Sequence, residues 1–150
     1  FDEELGDLYQ RARLRRGDDP ESEERKTAFA EMLEKYPDAY ATAMVLSERA
    51  FVAMWSRDVK GVETYYNMLR EGDIEVATNI VTDRGVEAMP NIELYLTRQY
   101  LRGGREEEAG VLIESLESNY ADSLVFSGRR GRGRRWTTVS DALDQINSLN

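Results

Sequence analysis

The stretch Phe29-Ala30-Glu31-Met32-Leu33-Glu34-Lys35-Tyr36-Pro37-Asp38-Ala39 decides the reading of this chain, because it has an echo. The echo runs Ile113-Glu114-Ser115-Leu116-Glu117-Ser118-Asn119-Tyr120-Ala121-Asp122-Ser123. In both, a large apolar residue stands seven positions before a tyrosine, and a turn follows at once. Proline pushes its predecessor out of the helical region, so a helix through Lys35 must end at Tyr36-Pro37-Asp38. A recurring helix-and-turn unit predicts stacked helical hairpins, each covering its neighbour's apolar face. Such an architecture points to a binding scaffold more than to a catalyst.

Working outward, apolar residues recur at helical spacing along most of the chain. Residues 2–16 read as a helix with Leu5, Leu8, Tyr9, Ala12 and Leu14 on one stripe, broken by Gly17 to Pro20. Ser22 is the expected N-cap of the next helix, which buries Ala28, Phe29, Met32 and Leu33. Residues 39–56 form the most apolar helix, with Ala43, Leu46, Ala50, Ala53 and Met54 inward. Asp58 opens a helix to about Arg70 carrying Val62, Tyr65, Tyr66 and Leu69. Trp55, Tyr65 and Tyr66 are read as core or partial core. A helix is expected over 74–88, although Gly85 and several β-branched residues oppose it. Pro90 opens a further helix to about Arg102, closed by Gly103-Gly104. The helix over 105–119 turns Ala109, Leu112, Ile113 and Leu116 inward. The tail departs from this pattern. Leu124-Val125-Phe126 and Thr137-Thr138-Val139 read as a short β-hairpin. Ser140 or Thr138 then caps a last helix bearing Ala142, Leu143, Ile146 and Leu149.

The chain has 150 residues, 41% hydrophobic and 33% charged, enough for a real core. It holds no apolar run of membrane-spanning length. There is no cysteine and no histidine, which excludes disulfides, Ser-His-Asp and Cys-His nucleophile systems and the usual zinc sites. No cofactor or metal is expected. With 29 acidic side chains, a pair of carboxylates carries little information. Net charge is −9 and the pI about 4.7, so the surface as a whole repels nucleic acid and anionic membranes.

These residues resemble the tetratricopeptide repeat (TPR) superfamily, whose unit is a pair of antiparallel helices. The best-matching unit runs from about Pro90 to Ser123, with Tyr100 in the aromatic place, Gly104 in the turn, Ala109 in the small-residue place and Ile113 after it. A first unit, about Gly6 to Ala39, matches at Tyr9, Phe29 and Pro37 and departs at Arg25. A middle unit, about Ala43 to Val76, keeps Leu46, Ala50, Tyr66 and Leu69 but has Val62 in the alanine place. The resemblance implies an all-α, right-handed α-α superhelix of about seven helices over 1–123. The hairpin and final helix, 124–150, would pack on it. It also implies a non-enzymatic protein or peptide binder whose concave face carries Gln10, Met44, Ser47, Phe51, Met54, Asn91, Leu94 and Arg98. With the start at Phe1 and the absence of cysteine, likeness to envelope repeat proteins leans the expected compartment to the bacterial periplasm. An accessory domain of a longer protein is an alternative.

A second alternative lies in the tail. Arg129, Arg130, Arg132, Arg134 and Arg135 are a quarter of the 20 basic residues, leaving 15 against 29 acidic elsewhere, a balance of −14. Guanidinium forks suit phosphate, and Trp136 suits stacking on a base, so residues 128–136 read as a nucleic-acid-binding loop. Pairing with the protein's own acidic face, or docking on an acidic partner, are the competing readings. Neither phosphate motif is met. Arg134 and Arg135 replace the lysine and hydroxyl of a P-loop, and Trp136 stands where a dinucleotide fingerprint needs its last glycine.

Overall fold

Helix boundaries follow from local capping chemistry. In the computed structural model, which describes residues 2–15, 17–81, 85–126 and 136–148, the Asp2 carboxylate accepts from the amides of Glu4 (2.9 Å) and Leu5 (3.3 Å) and starts α1, Glu3–Ala12. Ser22 caps α2, Glu23–Lys35, as its residue type predicts. Asp58 caps α4, Val59–Glu71, and Asp73 caps α5, Ile74–Thr78. Between α2 and α4, the helix α3, Tyr40–Trp55, has alanine at its N-cap. The Thr42 hydroxyl in its first turn instead donates to the carbonyl of Tyr36 (2.7 Å), which ties α3 to the end of α2. The remaining elements are α6 (Ala88–Arg102), α7 (Glu106–Asn119), β1 (Leu124–Phe126), β2 (Trp136–Thr138) and α8 (Val139–Ser148). Among the described residues the protein is thus predominantly helical, eight helices with one short antiparallel hairpin near the C-terminus.

The chain divides into two compact units, Phe1–Thr82 and Asp83–Asn150. In the first, α1 pairs with α2 and α3 pairs with α4. The two pairs meet through α1 and α2 against α3, and α5 closes on α3 and α4. Leu8, Ala12, Ala28, Met32, Val45, Leu46, Ala50, Val62 and Leu69 form its core. At the open end of the first pair, Lys35 bridges Glu4 (2.9 Å) and Glu31 (3.0 Å), and the Tyr36 hydroxyl donates to Asp2 (3.0 Å).

In the second unit, α6 pairs with α7. Their turn ends in a left-handed residue, Gly104 at φ +75°, and the Arg105 amide returns to the Tyr100 carbonyl at 2.8 Å. Strand β1 packs on α6, while α8 packs on α7 and both strands. The strand pairing is Leu124 with Thr138, Val125 with Thr137 and Phe126 with Trp136. Thr138 caps α8 through the Asp141 amide (3.2 Å). The Val139 and Ser140 amides donate to the carbonyls of Ser123 (2.9 Å) and Ala121 (3.1 Å). The first amides of α8 therefore find partners in the chain that leads into β1.

Three expectations need correction. The helix expected over 2–16 stops at Ala12. Leu14 is buried outside it, its amide held by the Glu48 carboxylate at 3.2 Å. The helix expected over 74–88 is only the five-residue α5, which ends at its C-cap Asn79, whose amide turns back to the Val76 carbonyl at 3.1 Å; Gly85, at φ +76°, also lies outside any helix. The return strand begins one residue earlier than expected, at Trp136, and Val139 already belongs to α8.

Candidate functional site

The α3 helix is apolar on two sides. One arc is core, formed by Thr42, Val45, Leu46, Ala50 and Ala53. The other faces outward. Tyr40, Met44, Glu48, Phe51 and Trp55 stand at i, i+4, i+8, i+11 and i+15, which confines them to an arc of about 80° and a length of about 22 Å. Tyr40 is 50% exposed and Trp55 71%, while Met44 and Phe51 are half-buried. The Phe51 and Trp55 rings stack at 6.3 Å with 28° between their planes. Glu48 is the one charge in the stripe, and its carboxylate is engaged by the Leu14 amide. Trp55 is therefore not core, contrary to the sequence reading. The buried arc is filled by smaller side chains, and position 55 falls on the opposite face.

The residues expected on a concave face are distributed as follows. Gln10 is exposed, and Met44, Phe51 and Met54 are half-buried. Ser47 is buried and donates to the Ala43 carbonyl (2.9 Å), so it offers no surface. Leu94 is likewise buried. Arg98 is half-buried, and its desolvation, helped by the neighbouring Arg102, lowers its pKa from the ordinary arginine value.

Asn91 is committed to the fold. Its Nδ2 donates to the carbonyls of Glu87 (2.8 Å) and Leu124 (3.5 Å), and its Oδ1 accepts from the Phe126 amide (3.0 Å). A side-chain amide thus takes the place of a neighbouring strand along the outer edge of β1.

That edge fixes how the hairpin presents its faces. Because the Phe126 amide turns to Asn91, the Phe126–Trp136 pair is the non-hydrogen-bonded kind, in which side chains approach most closely. Val125 is buried on the inner face. On the outer face Leu124 is 55% exposed, Phe126 41% and Trp136 46%, with the two rings edge-to-face at 6.1 Å and 74°. Arg129, Arg130, Arg132, Arg134 and Arg135 lie outside the described residues.

Two further features bear on chemistry. Arg49 on α3 is only 4% exposed, and its Nε and Nη2 have no hydrogen-bond partner among the described residues. Its guanidinium lies 4.6 Å from the centre of the Phe29 ring, which meets Tyr65 edge-to-face at 6.3 Å. A crevice between α3, α4 and α5 is lined by Leu46, Met68, Leu69 and Val76. It carries no charged side chain besides Asp38 and Asp73, and Asp73 is spent on capping α5. Among the described residues no cluster of acidic side chains is arranged to hold a metal, and no helix is long and apolar enough to cross a membrane.

Sequence reasoning missed Tyr40, Trp55, Leu124 and Phe126 as exposed apolar groups. The first two were recoverable from the i+4 and i+11 spacing along 40–55. The outer hairpin face was recoverable from strand alternation once Val125 is placed inward. Compared with known proteins, the chain matches no family model, no curated protein and no solved structure.

Proposed function

We propose that this chain is a non-catalytic protein-interaction scaffold of TPR-like type, a right-handed superhelix built from the α1–α2, α3–α4 and α6–α7 hairpins. The observation that carries this reading is the outward apolar stripe of α3. Exposed apolar surface concentrated on one helix face marks an interaction site more often than scattered exposure does. Packing of α1 beside α3, with α2 against α3, is also the order stacked helical hairpins adopt. The partner that fits is an amphipathic helix or apolar peptide segment laid along α3, with side chains spaced to meet Tyr40, Met44, Phe51 and Trp55. Full burial of an aromatic side chain stabilises a complex by about 2 kcal/mol, so Phe51 and Trp55 are the expected anchors. The stripe lies on a regular helix, so little ordering cost accompanies binding.

The test is selection from a display library of helical peptides on the intact protein, followed by affinity measurement against Phe51→Glu/Trp55→Glu. The reading predicts apolar consensus positions at helical spacing and at least a tenfold loss in the double variant. Selected peptides that bind wild type and the folded double variant equally would defeat it.

A further inference from the structure

We infer that the α3 stripe, taken as the peptide site proposed above, accepts its partner helix in one direction, antiparallel to α3. That partner carries acidic side chains in its first turn and basic ones in its last. The two ends of the stripe differ in charge, and each end lies within described residues of the first unit.

The N-terminal end is acidic. Asp38 is exposed two residues before Tyr40, so covalent geometry keeps their Cα atoms within about 7 Å. Asp73 lines the same crevice as Asp38. The start of α1 also lies here, because the Asp2 carboxylate accepts from the Tyr36 hydroxyl at 3.0 Å. Asp2, Glu3 and Glu4 are exposed, and Lys35 pairs with Glu4 at 2.9 Å.

The C-terminal end is cationic. Arg57 is exposed two residues after Trp55, and Lys60 is exposed in the first turn of α4. Asp58 stands between them, but its carboxylate is turned to the Gly61 amide at 3.0 Å. Asp38, Arg57 and Lys60 form no ion pair among the described residues. Arg57 also holds φ +58°, a left-handed conformation that glycine or asparagine ordinarily takes after a helix. The chain leaves α1 beside Glu48, where the Leu14 amide is bound at 3.2 Å, and Arg15 is exposed next to it.

A helix laid on this stripe has a polarity of its own. Acidic side chains are favoured in its first turn and basic ones in its last. Antiparallel docking sets the acidic turn over Arg57 and Lys60 and the basic turn over Asp38 and the start of α1. Parallel docking sets like charges together at both ends. A segment of one charge throughout meets repulsion at one end. The stripe's length of about 22 Å calls for a helix of about 15 residues. Glu48, in the middle, is engaged by the Leu14 amide, so the centre asks for apolar side chains.

The experiment uses two synthetic peptides of about 15 residues with the same composition and the same apolar positions at helical spacing. One has glutamates in the first turn and lysines in the last, and its isomer has them exchanged. Calorimetric titration of the full chain at low salt should show the first binding about tenfold tighter. The gap should close near 1 M salt, where the screening length is about 3 Å. Exchange of the charges also weakens the peptide's own helix, so the protein's charges are changed as well. In Asp38→Lys/Arg57→Glu/Lys60→Glu the tenfold preference should be lost. Arg57→Gly/Lys60→Gln suits the left-handed backbone, removes both cations and should narrow the preference. Far-UV circular dichroism checks that each variant is folded.

Equal binding of the two isomers, tighter binding of the exchanged one, or a preference unchanged in the folded charge variants overturns the assignment of direction. The stripe itself survives that outcome if both peptides lose affinity for Phe51→Glu/Trp55→Glu. If neither peptide binds, or binding is indifferent to that double variant, the direction and the peptide site fall together. Both also fall if sedimentation shows a dimer that the double variant disperses, since the stripe then belongs to a second copy of the chain.

Discussion

Replacing Asn91 by alanine should loosen the hairpin and leave the helices in place. Three hydrogen bonds end on this side chain, at 2.8, 3.0 and 3.5 Å, the last at the edge of useful geometry. A typical bond contributes about 1 kcal/mol, and a donor left without a partner costs about 1–3 kcal/mol. The Phe126 site is only part-buried, so water recovers some of that loss, and the expected cost is about 2 kcal/mol. Native-state hydrogen exchange reads it directly. The Phe126 amide should lose about 30-fold in protection while amides in the middle of α3 change little. Asn91→Asp is the discriminating partner. A carboxylate still accepts from Phe126 but cannot donate to the carbonyls of Glu87 and Leu124. It should therefore be worse than alanine at neutral pH and recover on acidification, when its proton restores one donor. Unchanged Phe126 protection in Asn91→Ala, or no difference between the two variants across pH, would refute the clip.

Arg49→Met should stabilise the first unit by about 1–2 kcal/mol in urea denaturation. Removal of a buried charge whose Nε and Nη2 find no hydrogen-bond partner among the described residues outweighs the lost ring contact with Phe29. A lower midpoint would mean that the guanidinium is compensated. The α1–α2 end has its own pH signature. The Tyr36 hydroxyl first, then backbone amides, lowers the Asp2 pKa from 3.8, and Lys35 lowers that of Glu4 from 4.5. Their contribution is therefore present above these values and lost as pH falls through the depressed ones. Desolvation and then Asp2 push Tyr36 from 10.0 up to about 12, so its contribution is full below pH 10 and lost toward pH 12. Thermal melts of Tyr36→Phe should lack that alkaline loss and show a weaker acid loss than wild type.

Much of the helical order was legible because its punctuation is local. Ser22, Asp58 and Thr138 are caps whose partners lie within three residues, and Gly103-Gly104 ends α6 where the left-handed turn requires it. The segment after Asp73 is helical only to Thr78, although apolar periodicity persists in the sequence past Asn79, where the backbone turns back and α5 ends. Site residues were harder for a different reason. Asn91 on a helix looks available, and only a bond to a strand 35 positions away shows that it is spent. Trp55 looks like core until the packing of α3 reveals that small side chains already fill the inner arc.

The helical pairs also bear on how the chain reaches its structure. α1 pairs with α2, α3 with α4 and α6 with α7, each element closing on its immediate successor. Such short loops cost little closure entropy, and folds dominated by them reach the native state in microseconds to milliseconds. The contact between Asn91 and Phe126 must wait for α6, α7 and the intervening turn. Folding of the second unit should therefore be ordered in time, with the helical pair first and the aromatic hairpin seated last.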